Sequence, residues 1–214
     1  MANVPEDSET TRLIAQAVRG DRRALGELLG RHRERLHRMV ALRLDRRLQG
    51  RVDPSDILQD ACLDAARRLP EYHQNPTMPF FFWLRFLTGQ RLVDEHRRHL
   101  GAAGRDAGRE IRLYDGALPE PTSAALAARL LGRLTTPSQA AIRAERQIRL
   151  QEALNSLDPI DREVLVLRHF EELSNGEAAA VLGLDKSAAS KRYALALIRI
   201  KDVLAALRGG LDEV

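Results

Sequence analysis

Between Lys186 and Lys201 the chain carries five basic side chains and no acidic one. Lys186, Ser187, Ser190, Lys191 and Arg192 cluster at the start of this stretch. On a helix, such a polar and basic end suits a major groove. Hydroxyls and ammonium groups read base edges there, while cations and the helix N-terminus meet phosphates. The plainer alternative is an αα-hairpin with a solvated basic face. A second group with chemical potential is aromatic. Aromatics are only 4% of the chain, yet Phe80, Phe81, Phe82, Trp83 and Phe86 fall within seven positions. Their angular spread on a helix keeps them from all facing one way. Trp83, Leu84 and Phe86 suit core packing. Phe80 and Phe81, beside a Pro-rich loop, could stack on an unpaired base. A third group, Asp56, Gln59, Asp60 and Asp64, lies on one side of a helical pattern with no catalytic partner, as a solvated face would.

Catalytic and metal chemistry find little support. No glycine-rich phosphate loop follows a strand, and no His-Glu-x-x-His is present. His32, His37, His73, His96, His99 and His169 are scattered, with no carboxylate set completing a site. No cofactor or metal is expected. The single cysteine, Cys62, excludes an internal disulfide and a cysteine-based zinc site, and reads as a small buried apolar residue. No apolar run approaches the roughly 20 residues of a membrane span. Met1 to Thr11 is acidic and polar, unlike a secretory signal. These features predict a cytoplasmic protein without membrane insertion. Basic residues are nearly all Arg, which fits nucleic-acid contact or simply a GC-rich genome.

The elements that must position these groups are helical. With few aromatics, the core draws on Leu, Ala, Val and Ile, which suits an all-α fold of two small helical domains. Residues 1–11 read as disordered, and a first domain spans 12–100. A short helix runs from Thr11 to Arg19. Asp21 caps a long helix, and Asp53-Pro54-Ser55-Asp56 starts another running to about Leu69. Pro70 to Pro79 reads as a loop, followed by a helix from Phe80 to His99. Residues 101–137 are rich in Gly and Pro and read as a flexible linker with one weak helix at Ser123 to Gly132. A second domain spans 138–209, with a tail at 210–214. In it, Ser174-Asn175-Gly176-Glu177 has capping-box form. A short helix ends at Gly183, and Asp185 caps a final helix. Short helix, Gly turn and longer helix form a helix-turn-helix pattern.

Gly183-Leu184-Asp185-Lys186-Ser187-Ala188-Ala189-Ser190-Lys191-Arg192 resembles the region-four helix-turn-helix of bacterial sigma factors. Leu157 to Arg168 is similar to the family helix that precedes it. Gly20-Asp21-Arg22-Arg23-Ala24-Leu25 resembles the start of region two, and Pro54 to Asp60 its second segment. Phe80 with Trp83-Leu84, then Asp94 with Arg97-Arg98, resembles the pattern of its melting helix. With only a linker between the parts, the chain resembles the extracytoplasmic-function type of the sigma-70 family. That resemblance implies a non-enzymatic transcription initiation factor. Asp56, Ile57, Gln59 and Asp60 would dock on the clamp helices of the largest subunit of core RNA polymerase. Phe80, Phe81, Trp83, Arg91, Asp94, Arg97 and Arg98 would bind and open a −10 element of promoter DNA. Lys186, Ser187, Ser190, Lys191 and Arg192 would bind a −35 element. The flap of the second-largest subunit and an anti-sigma factor are further implied partners. A stand-alone helix-turn-helix regulator is the alternative.

Overall fold

The computed structural model describes residues 6–100, 118–132 and 140–209, and every regular element among them is helical. The chain divides into two compact units, Met1–Pro119 and Glu120–Val214.

The first unit holds α1 (Ser8–Val18), α2 (Arg22–Arg43), α3 (Pro54–Gln74) and α4 (Phe80–Leu100). Local chemistry sets their starts. Asp21 accepts from the backbone N–H of Arg23 and Ala24, and Asp53 accepts from Ser55 N–H with Pro54 in the first turn. Apolar stripes then meet in the centre: Leu28, Val40, Leu58, Ala61, Leu84 and Leu92 are wholly buried. Each of the leucines and the valine is worth about 1.5–3 kcal/mol of burial.

The N-terminal segment is more ordered than expected for residues 1–11. Residues 1–5 lie outside the described residues, but Asp7 caps α1, accepting from Thr10 N–H at 2.6 Å, and Thr10 is itself buried. α3 also runs through Pro70 to Gln74 instead of ending at Leu69. Proline removes one helix hydrogen bond. Tertiary anchoring of the next turn offsets that loss. Tyr72 is buried, its hydroxyl donates to Met78 O at 2.8 Å, and its ring stacks on Trp83 with centroids 4.6 Å apart.

The second unit holds α5 (Ser123–Gly132), α6 (Ala140–Asn155), α7 (Pro159–Leu165), α8 (Asn175–Leu182) and α9 (Lys186–Gly209). α7 continues as one π-helical turn, Val166–Phe170, which carries Val166, Leu167 and Phe170 into the core. Glu172, at φ 58°, follows it. The supposed linker helix is α5. It packs on α6, with Leu126 and Ala127 wholly buried. Its apolar face explains why it joins a unit rather than hanging between two. The linker shrinks at another point too. Leu118 packs against the first unit's core, pressed on Gly89 of α4 where a Cβ would collide with it. The buried Arg43 donates to Pro119 O at 3.3 Å. Residues 101–117 and 133–137, the rest of that segment, lie outside the described residues, as do 138–139 and the tail at 210–214.

Candidate nucleic-acid interface

The helix-turn-helix is built from three local devices. Ser174 accepts from Glu177 N–H at 3.2 Å and Glu177 accepts from Ser174 N–H at 2.7 Å, closing the capping box at the start of α8. Gly183 ends α8 at φ 64°, in the left-handed region that favours glycine. Asp185 then accepts from Ala188 N–H at 2.8 Å to start α9. A tertiary bond fixes the two helix starts together: the Asn175 amide donates to Lys186 O at 2.7 Å. Gly176 leaves room for the aliphatic stem of Lys186, whose Cε would lie 3.2 Å from a Cβ there.

α9 buries Ala189, Ala196 and Ile200 and exposes Lys186, Ser187, Ser190 and Lys191. Arg192 behaves differently from its neighbours. Its Nη1 meets Asp161 at 2.6 Å and Asp158 at 3.4 Å, both on or beside the start of α7. The Asp161 carboxylate holds the guanidinium firmly protonated. Arg192 therefore braces α9 against α7 while its side chain stays 36% exposed, and the fully outward set is Lys186, Ser187, Ser190 and Lys191. Sequence reading missed one feature here. Leu195 and Ile198 are 58% and 55% exposed, and their helical spacing from Ser187 and Lys191 continues the same face.

In the first unit, Asp56, Gln59 and Asp60 are exposed along α3. Leu63, 50% exposed, extends that face and was also missed. Ile57, grouped with these residues from the motif, instead points inward at 2% exposure, among Met39, Val40, Leu44, Leu48 and Leu92.

The aromatic cluster departs from its expected sorting at Phe80, Phe81 and Phe86, while Trp83 and Leu84 are buried as expected. Phe80 is wholly buried, and Phe81 and Trp83 are 7% exposed, whereas Phe86, expected in the core, is half-buried. Phe80 lies against Tyr72, Trp83 and His32, with centroids 5.7 Å apart in each case. Phe81 is covered by His32 and by the Arg35 guanidinium, 3.9 Å from its ring centroid. The first turn of α4 is further held by Glu6, whose carboxylate accepts from Phe80 N–H at 2.6 Å. Burial there pushes the Glu6 carboxyl above its ordinary range and the Tyr72 phenol above its own. Further along α4, Asp94 and Arg97 are exposed. Arg98 pairs with Glu95 on its own helix. Arg91 reaches back to α3, donating Nε to Asp64 at 2.7 Å and Nη2 to the same oxygen.

Residues 147–200, spanning the end of α6 through most of α9, match the family described as "Sigma-70, region 4". The chain is 33% identical over 195 residues to the ECF RNA polymerase sigma factor SigD of Mycobacterium tuberculosis, covering 91% of this chain and 83% of that one. The chain belongs to the extracytoplasmic-function sigma factors. RNA polymerase sigma factor CnrH of Cupriavidus metallidurans is 30% identical over 202 residues, covering 94% of this chain and 96% of its own length. A solved structure of CnrH in complex with the cytosolic domain of CnrY matches with a TM-score of 0.52 and 26% identity, over 93% of this chain and 99% of that one.

In this sigma factor the family match falls on the unit whose helix-turn-helix is described above. The division between Lys191 and Arg192 can be measured there. Lys191→Ala is expected to lower the salt slope of duplex binding by about one, as loss of a phosphate contact does. Arg192→Ala is expected to leave the slope unchanged and to lower the melting temperature, because it strands Asp161, which is only 16% exposed. Salt titrations of the polymerase-bound factor and a thermal melt check both. Equal slope losses in the two variants would reassign Arg192 to the DNA.

Proposed function

We propose that this sigma factor binds core RNA polymerase and directs it to promoters through two DNA elements. Lys186, Ser187, Ser190 and Lys191 of α9 read the −35 element in the major groove. α4 and the segment 75–79 engage the −10 element, with Arg91, Asp94, Arg97 and Arg98 contacting the strand and the buried aromatic cluster holding the helix and loop in place. Asp56, Gln59 and Asp60 of α3 dock on the clamp helices of the largest subunit, where acids and an amide suit a basic coiled coil. The second unit contacts the flap of the second-largest subunit. The factor works in the cytoplasm by binding, not by catalysis. None of its helices, among the described residues, is long and apolar enough to cross a membrane. CnrH forms a complex with the cytosolic domain of CnrY, which supports an anti-sigma partner for this chain as well.

The observation that carries this reading is the paired start of α8 and α9, which leaves four polar or basic side chains exposed on one helix end. In vitro transcription tests it: the chain added to purified core polymerase on host genomic DNA is expected to produce a discrete set of start sites. Omitting either component abolishes them. Footprinting of palindromic duplex sites by the chain alone, with no core-dependent start sites, would establish a stand-alone regulator instead.

A further inference from the structure

We propose that Asp64 is a positioning residue that aims Arg91 at the nucleic-acid backbone. The proposal rests on the reading that α4 carries the contacts to the opened strand. Arg91 sits on α4 and Asp64 on α3, 27 residues apart in sequence. Asp64 is well fixed, with 19% of its side chain exposed, and one of its oxygens receives both Nε and Nη2 of Arg91. The other oxygen lies 3.5 Å from Arg67 Nη1. A guanidinium is a rigid planar fork, so holding its Nε–Nη2 edge sets the direction of the remaining Nη1 edge. That edge belongs to a side chain still 38% exposed. An unheld Arg would sample many rotamers and lose that freedom on binding, whereas this one is ordered beforehand. Asp64, Asp60 and Asp94 together place the Arg91 charge in a strongly acidic setting.

A carboxylate beside a DNA contact repels phosphate, so by charge alone its removal strengthens binding. Positioning predicts the opposite sign, which makes the two roles separable. The chain is assembled with core polymerase, gel-filtered, and titrated with a fluorescein-labelled random-sequence 30-base single strand at several salt concentrations. Arg91→Ala is expected to weaken binding about fivefold and to lower the salt slope by about 0.7, the value for one single-strand phosphate contact. Asp64→Asn is expected to weaken binding about threefold or more despite the loss of one negative charge. In the Arg91→Ala background the same Asp64→Asn change is expected to strengthen binding, since only its charge effect remains. A general loss of structure weakens binding in both backgrounds and overturns the proposal, as does unchanged or tighter binding by Asp64→Asn alone. If Arg91→Ala leaves affinity and slope unaltered, the α4 contact itself falls, and the proposal with it. If only the Asp64 result fails, the α4 reading stands and the positioning role does not.

Discussion

Reversing Asp56 and Asp60 to lysine is expected to weaken assembly with core polymerase by about a hundredfold or more while the chain stays folded. Both carboxylates are exposed on α3, and a basic coiled coil docked there would meet two cations in place of two anions. Like-charge juxtaposition across an interface costs several kcal/mol, and about 2.8 kcal/mol already corresponds to a hundredfold. The cost to the fold is small by comparison. Asp56 lies in the first turn of α3, where its interaction with the helix dipole contributes about 0.3–1 kcal/mol. Pull-down against tagged core enzyme, with circular dichroism as the folding control, reads both quantities. Wild-type assembly by the double variant would remove this face from the polymerase interface.

Phe80→Ala is expected to destabilise the first unit by about 3–5 kcal/mol, the usual cost of truncating a buried phenylalanine. Against a total stability of about 5–15 kcal/mol for a domain, that is a large fraction. The chain supplies its own reporter, because its single tryptophan, Trp83, stacks on Tyr72 and adjoins Phe80. Denaturant unfolding followed by tryptophan fluorescence therefore monitors this unit alone. A base-stacking Phe80 predicts a different pattern: an unchanged midpoint with loss confined to promoter opening. Its complete burial favours the first outcome.

The helix starts were largely legible from residue types, because caps act over three or four positions. Asp21, Asp53-Pro54, Ser174 with Glu177, and Asp185 all begin helices where their chemistry says they should. The end of α3 was not legible. Pro70 signals a stop locally, but Tyr72 packing against Trp83 and Met78 outweighs it. α5 read as part of a loose connection because its Ala and Leu content marks no partner. The partner, α6, lies across a stretch of chain that local patterns do not bridge.

Candidate sites divide in the same way. Exposure of Lys186, Ser187, Ser190 and Lys191 follows from helical spacing around buried Ala189 and Ala196. The orientation of Arg192 does not, because Asp158 and Asp161 are 34 and 31 residues away in sequence. Arg91 is equally silent about Asp64.

By itself the sequence determined the helical class, the order of the helices and the family to which the chain belongs. These rest on composition, caps, periodicity and short motifs, all of which act within a few residues. Only the tertiary structure decided which aromatics are core, that Ile57 faces inward, that Leu118 sits on Gly89, and which arginines are tied to carboxylates on another helix. Those outcomes depend on packing and charge pairing between segments far apart in the chain, where a side chain's direction is set by what the neighbouring helix presents to it.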